Sequence, residues 1–180
     1  NHKSLNRPQL SQYTNENIVI DYEEKPSLIL FPFINKGNEN DDFYAHCLSN
    51  DILSDLSSSS KIKIASNTEV DLLIKKKYKH YTICKKLDSR YFITGSFWKQ
   101  KSQFNLSIEL IDNKSKKSIW TDNWMDEWDS LHEIKNKLVN NILKILSNKD
   151  EKLTEDEDFK HSDSESYQLY LKAKFIFETR

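Results

Sequence analysis

The hydrophobic spacing changes at Tyr91, and that change constrains the fold more than any other feature. From Tyr44 to Leu56 the apolar residues recur at steps of four, whereas from Tyr91 to Met125 they recur at steps of two. The clearest stretch is 104–110, where apolar residues alternate with Asn, Ser and Glu, as in a half-buried strand. Helical spacing followed by strand spacing predicts helices packed on a sheet.

A continuous apolar run at 28–31 predicts a strand buried on both faces, which is typical of parallel or mixed sheets. The other elements follow from spacing and turn residues. They are a helix around 43–56, a short strand at 61–64, helices around 66–74 and 83–87, strands at 91–99, 104–110 and 117–125, and a helix around 130–145. We predict an α/β fold with a mixed sheet in the order β-α-β-α-α-β-β-β-α. Short connections make its last three strands an antiparallel meander, and an extra C-terminal helix follows.

Changes in composition divide the chain into four parts. Residues 1–25 are polar and predict a linker or arm, 26–148 form the α/β domain, and 149–163 are acidic and predict a solvated linker. Residues 164–180 predict one further amphipathic helix. Because a lone amphipathic helix cannot bury its own apolar face, we expect this helix to pack on a following repeat or on a second protomer.

The composition argues against some classes of function. Lys and Arg number 27 against 28 Asp and Glu, whereas nucleic-acid-binding domains usually carry a basic excess. The longest apolar run, Leu28 to Ile34, is shorter than the roughly 20 residues of a membrane span and contains Pro32. Two cysteines, Cys47 and Cys84, favour buried thiols in a reducing compartment. We expect a cytoplasmic domain that itself binds neither nucleic acid nor membrane.

Motifs for catalysis, metal binding and nucleotide binding are missing from the sequence. Two glycines in 180 residues leave no GxGxxG or P-loop pattern to hold phosphates. The histidines show no metal-binding spacing. His80 and Cys84 stand four residues apart on a predicted helix, and we interpret them as a histidine above a buried thiol, because nothing supplies a third orienting group. We expect no catalytic residue, metal ligand or cofactor.

One basic run, formed by Lys75, Lys76, Lys77 and Lys79, has Tyr78 among its lysines. Such a run can contact a phosphate backbone. Lysines are also favoured at the C-terminal end of a helix, where they meet the negative pole of its dipole. The solvated helix end is the more frequent meaning, and both interpretations stay open.

Aromatic residues near the end of the chain are candidates for contact with a partner. Trp120 and Trp124 fall on one face of the last predicted strand, with Trp128 beyond it. Core packing accounts for at least Trp120, whereas exposed aromatic residues concentrate at interfaces. The candidate interaction residues are Trp124, Trp128, Tyr167, Tyr170 and Phe175.

Five stretches carry a resemblance to a known family by their joint order. They are Ser27–Phe33, Asp42–Ala45, Leu87–Phe97, Ile108–Asp112 and Ile119–Trp120. Over about residues 27 to 148 the chain resembles the TolB-like N-terminal-type domain of bacterial adenylate/guanylate cyclases and winged-helix regulators. Residues 167–173 resemble the first helix of the tetratricopeptide (TPR) array that follows this domain. The chain departs from the family at Cys47 and Lys116, where the family usually has glycine.

The resemblance implies a non-catalytic regulatory module that mediates protein-protein contact, dimerisation or signal transmission. Its expected partners are an N-terminal effector domain, TPR repeats or a second copy of the chain. The alternative is a small-ligand sensor that binds a metabolite between the sheet and the helices.

Overall fold

The computed structural model describes residues 25–147 and 164–178. The predicted arm at 1–25, apart from Lys25, and the predicted acidic linker at 149–163 lie outside the described residues. Within them, the strands are β1 (Ser27–Leu30), β2 (Ile34–Asn35), β3 (Lys63–Ile64), β4 (Tyr91–Gln100), β5 (Gln103–Asp112) and β6 (Lys117–Glu127). The helices are α1 (Asp42–Ser57), α2 (Asn67–Lys75), α3 (His80–Lys86), α4 (Leu131–Leu146) and α5 (Ser164–Glu178). The predicted class and element order are confirmed, and β2 is an addition to them.

The strands form one mixed sheet in the order β3-β1-β4-β5-β6, with β2 paired beside β4. β1 is parallel to both β3 and β4, and β4, β5 and β6 form the predicted antiparallel meander. Leu28 and Leu30 point to one core, and Ile29 and Phe31 point to the other. β1 is therefore buried on both faces, which explains its unbroken apolar run.

The larger core lies between α1, α4 and the sheet. Its packing leaves no space for a side chain at Gly95. A Cβ atom at this position would lie 2.8 Å from Cδ1 of Ile108 and 2.8 Å from Cδ1 of Phe33. Both distances are shorter than a van der Waals contact. Gly95 thus allows the Phe33 ring to lie directly on β4.

The turn between β5 and β6 places Lys116 in the left-handed region, with φ of 60°. This is the turn position where the family that the chain resembles usually has glycine. A side chain in that region costs about 1–2 kcal/mol. The structure accommodates it by hydrogen bonds from Lys116 N to Asp112 O and from Lys114 N to the Asp112 carboxylate.

The last helix is covered on one side by its own domain, and its expected contact with a repeat or a second protomer stays a prediction. α5 packs on α1 of its own domain, with Tyr167 and Leu171 buried in the main core and Phe175 packed against it. α1 contacts both α4 and α5. None of the helices in the described ranges combines the length and apolar character needed to cross a membrane.

Candidate interaction surfaces

A buried carboxylate holds α5 against the rest of the domain. Asp51, on α1, accepts hydrogen bonds from the hydroxyls of Tyr167 at 2.9 Å and Tyr170 at 3.1 Å, both on α5. It also accepts one at 3.1 Å from Lys135 Nζ, on α4, which lies 2.7 Å from Asp55. We call these five residues the Asp51 cluster. It joins three helices through a single carboxyl group.

Opposite charges offset the cost of burying Asp51, and Lys174 Nζ, on α5, also lies 3.7 Å from its carboxylate. The side chains of Asp51 and Lys135 are 9% and 6% exposed. Burial raises the pKa of Asp51, but the Lys135 charge and the three hydrogen bonds lower that pKa by more. Burial likewise lowers the pKa of Lys135, and the two carboxylates raise it by more. Both groups are therefore ionised at neutral pH, so each is compensated by its partner.

Tyr167, Tyr170 and Phe175 are brought together by the structure, but within the chain. Tyr167 is almost completely buried, and its ring lies 5.0 Å from that of His132. Phe175 lies 5.9 Å from the ring of Phe43. These contacts attach α5 to its own domain, so Tyr167 and most of Phe175 are unavailable to a second protomer. Tyr170 is 46% exposed although its hydroxyl reaches Asp51.

The opposite side of α5 is apolar and exposed. Leu169, Ile176 and Phe177 are 60%, 54% and 81% exposed, and Ala173 lies between them. Their spacing places them on one helical face, about half a turn away from Tyr167 and Leu171. We call these four residues the open face of α5. A helix with two apolar faces is built to pack between two neighbours.

The two tryptophan candidates have different surroundings. Trp128 is 5% exposed and packs against Tyr44, Phe97 and Phe104, with Lys99 Nζ 4.6 Å from its ring. A partner surface needs exposure, so Trp128 is corrected to a core residue. Trp124 is half-buried on β6, and its ring lies 6.1 Å from that of Trp120.

A concave surface lies on the face of β4, β5 and β6 that points away from α1 and α4. Its volume is about 880 Å³, and α3 forms one wall with His80 and Tyr81. The strands contribute small polar side chains around Glu109. Its lining residues include two carboxylates and no Lys or Arg. We call this surface the Glu109 basin.

The predicted thiol and histidine pair consists of a buried thiol and an exposed histidine. Cys84 is fully buried, and burial raises its pKa to about 12. His80 stacks on Phe31 with ring centroids 4.0 Å apart, and burial lowers its pKa. Both shifts disfavour a thiolate and an imidazolium at neutral pH. Among the described residues, no three His, Cys, Asp or Glu side chains are placed to hold a metal ion.

The basic run lies where α2 ends and α3 begins. Lys75 is the last residue of α2, and Lys76, Lys77 and Lys79 follow in the connection to α3. All four are exposed. Lys86 Nζ lies over the Tyr78 ring at 4.8 Å, so the interleaved tyrosine has an intramolecular partner.

The Asp51 cluster was missed by sequence reasoning, although a signal was present. Asp51 lies between Leu48 and Ile52 on the apolar face of α1, and Lys135 lies between Ile134 and Leu138 on that of α4. Opposite charges on two faces that must both be buried indicate an ion pair between them.

The fold resembles that of proteins far apart in sequence. TolB from Acinetobacter baumannii matches with a TM-score of 0.50 and 11% identity over 69% of this chain and 29% of TolB. Lipoprotein GNA1162 from Neisseria meningitidis gives a TM-score of 0.49 with 11% identity, covering 68% of this chain and 96% of that one. The LpoB C-terminal domain from Salmonella enterica gives 0.46 with 12% identity, covering 57% and 83%. The comparison with curated proteins gives no match.

The expected TolB-like resemblance therefore holds for the fold. A family of regulator domains matches the sequence itself, over residues 24–145, and this match includes β1 to β6 and nearly all of α4. It supports the expected association with regulators, whereas the cyclase and the TPR array stay predictions. The chain belongs to the family of HilA/YgeH-like transcriptional regulators, as their second domain.

Proposed function

We propose that this domain is a non-catalytic regulatory module that transmits a contact made at α5 to the rest of a transcription regulator. The observation that carries the proposal is the two-sided α5, which the Asp51 cluster holds on one side while Leu169, Ile176 and Phe177 are exposed on the other. A helix held in this way has a defined orientation, so a partner on its open face is positioned relative to the sheet.

The partner that the resemblance implies is a TPR array, whose helices pack in layers. The open face of α5 suits such packing because its residues recur at helical spacing. A regulator as the parent protein is supported by the family match, which favours it over a cyclase. The cytoplasmic location, the N-terminal effector domain and the boundaries at 26–148 stay predictions.

The test uses the full-length regulator that contains this domain. Ile176→Ser and Phe177→Ser should lower the output of a regulated promoter while the domain's melting temperature changes little, because both side chains are exposed. Leu72→Ser on α2 is the matched control, since Leu72 is 53% exposed and lies away from α5. Unchanged output for both α5 variants would contradict the proposal.

The Glu109 basin favours a second candidate function, the sensing of a small polar ligand that carries a positive charge. Glu109 in its lining, without a lysine or arginine beside it, favours a cation. A thermal-shift screen with small amines should raise the melting temperature of the wild type. Glu109→Gln should abolish that rise, and Glu133→Gln on exposed α4 surface should not. A rise that survives Glu109→Gln would exclude the basin as the site.

A further inference from the structure

β6 is a long strand with one open edge. It pairs with β5 over its whole length and is the last strand in the sheet order, and no other described strand lies on its far side. An edge of this length exposes a row of backbone donors and acceptors that another strand can pair with. Proteins usually protect such edges, so the side chains on β6 show what the edge is suited to meet.

The residue order of β6 is self-complementary when the strand is paired antiparallel with a second copy. A two-fold axis through such a pair sets one residue opposite itself and places the others in reciprocal pairs. With Asp122 on the axis, four of the resulting pairs join similar residues or opposite charges. These pairs are Lys117 with Glu127, Ile119 with Met125, Trp120 with Trp124, and Thr121 with Asn123, while Ser118 faces Asp126 and Asp122 faces its own copy.

Neighbouring registers do not share this property. A two-fold axis keeps each side chain on its own face of the sheet, so the next permitted centres are Thr121 and Asn123. Centring the pair on Thr121 sets Trp120 opposite Asp122. Centring it on Asn123 sets Trp124 opposite Asp122. Both alternatives set the Asp122 carboxylate opposite an indole ring and lose the contact between Trp120 and Trp124 of the two copies.

The register centred on Asp122 also covers the apolar surface of β6. Ile119 and Met125 are 42% and 68% exposed, and they are the large aliphatic side chains left uncovered on this strand. The half-buried Trp120 and Trp124 lie side by side at the same edge. Pairing would bring two tryptophans from each copy together, and cross-strand aromatic pairs are among the stabilising ones.

We propose that a second copy of this chain pairs antiparallel along β6, with Asp122 on the two-fold axis, to make one sheet across two domains. This inference rests on the proposed role of the domain as an interaction module and names the chain itself as a partner. The irregularity between Leu110 and Ile111 leaves Ile119 without a partner on β5. The regular part of the new ladder therefore extends from Trp120 to Trp124.

Asp122 limits this pairing, because like charges directly opposite each other across strands are unfavourable. The Asp122 carboxylate also accepts a hydrogen bond at 2.8 Å from the backbone N–H of Asn123, and this bond must be replaced when the two edges pair. The dimer is consequently weak. Asp122→Asn should tighten it roughly two- to five-fold, which is the equilibrium equivalent of one opposed pair.

The decisive experiment is oxidative crosslinking of single cysteine variants in the otherwise unchanged chain. Asp122→Cys should form a disulfide-linked dimer under mild oxidation, since the axis sets this residue opposite its own copy within the range of Cα distances that a disulfide spans. Thr121→Cys and Asn123→Cys should each fail alone and should crosslink when mixed. The thiols of Cys47 and Cys84 are buried, so they leave this readout undisturbed.

The mass of Asp122→Asn by light scattering, compared with the wild type over a concentration series, provides the second measurement. Equal self-crosslinking by all three cysteine variants, or none by Asp122→Cys and by the mixture, would overturn the inference. A strictly monomeric Asp122→Asn would do the same. None of these outcomes changes the expected effect of Ile176→Ser or Phe177→Ser, so the proposed function at α5 is tested separately.

Discussion

Replacement of Asp51 by Asn tests the idea that one carboxylate attaches α5 to the domain. The substitution keeps the size of the side chain and one acceptor oxygen, and it removes the charge. Lys135 would retain only Asp55, which lies 2.7 Å from its Nζ and has a side chain that is 39% exposed. The hydroxyls of Tyr167 and Tyr170 would compete for the single remaining amide oxygen.

The expected loss of unfolding free energy depends on which partners Lys135 keeps. Breaking a buried ion pair by removing one partner costs about 3–5 kcal/mol. Because Asp55 still compensates Lys135 in part, we expect the low end, about 3 kcal/mol of unfolding free energy. For a chain of this size each kcal/mol shifts the melting temperature by roughly 2–4 °C. Asp51→Asn should therefore melt about 6–12 °C below the wild type.

Urea unfolding followed by circular dichroism gives the free energy, and hydrogen exchange at α5 shows where the loss occurs. Tyr167→Phe removes one of the hydroxyls that donate to Asp51, so a double-mutant cycle isolates the coupling between these residues. Glu133→Gln is the matched control, because its ion pair with Lys137 is exposed and should contribute under about 0.5 kcal/mol.

The reasoning would be refuted if Asp51→Asn cost less than about 1 kcal/mol and left exchange at α5 unchanged. Full additivity with Tyr167→Phe would refute the hydrogen bond between α1 and α5 in particular. A loss spread evenly over all helices would also argue against a local attachment of α5.

Four further outcomes follow from the structure. The pKa of Asp51 is lower in the folded than in the unfolded chain. The stability that its charge contributes is therefore present above about pH 4 and is lost as the pH falls through the folded pKa. In acid titrations the free energy of unfolding should fall less steeply for Asp51→Asn than for the wild type. Lys116→Gly should stabilise by up to about 1 kcal/mol because φ is 60° there, and thermal melts that show a loss would contradict this. Gly95→Ala should cost about 1–3 kcal/mol by overpacking against Ile108 and Phe33, and a neutral result in urea would be inconsistent with that contact. Neither Cys47 nor Cys84 should react with a thiol reagent at pH 8 before unfolding, since both are buried; rapid labelling of the native protein would show the core to be more open.

The fold was predictable because the spacing of apolar residues indicates which side of each element is buried. The continuous apolar run that begins at Leu28 predicts a strand covered on both faces, and the alternation from Phe104 to Leu110 predicts a strand covered on one face. Those two requirements, with short turns around β5, leave few arrangements of the strands. The glycine usual at position 116 in the resembling family likewise agrees with the left-handed backbone found there.

The attachment of α5 was not predictable in the same way, because it depends on polar groups within apolar faces. Hydrophobic spacing predicts α1 and α4 but gives no role to Asp51 and Lys135. Their ion pair forms only when the apolar faces of these two helices pack together. The burial of Trp128 could not be predicted either, because this residue follows β6 and belongs to no regular spacing of apolar residues. The 3-10 turn Trp128–Ser130 directs its ring inward.

The position of β1 between β3 and β4 has a consequence for how the chain is made. Parallel pairing joins β1 to β3 and β4, and the amide of Arg90 donates to the hydroxyl of Ser27 across 63 residues. A ribosome adds roughly 5–20 residues per second, so the apolar segment 28–31 emerges several seconds before β4 exists. During that interval β1 has no β4 to pair with, so its apolar side chains lack the neighbouring strand beside them. Nascent chains of this domain should consequently depend on chaperones between the synthesis of β1 and that of β4, and much less once the meander is complete.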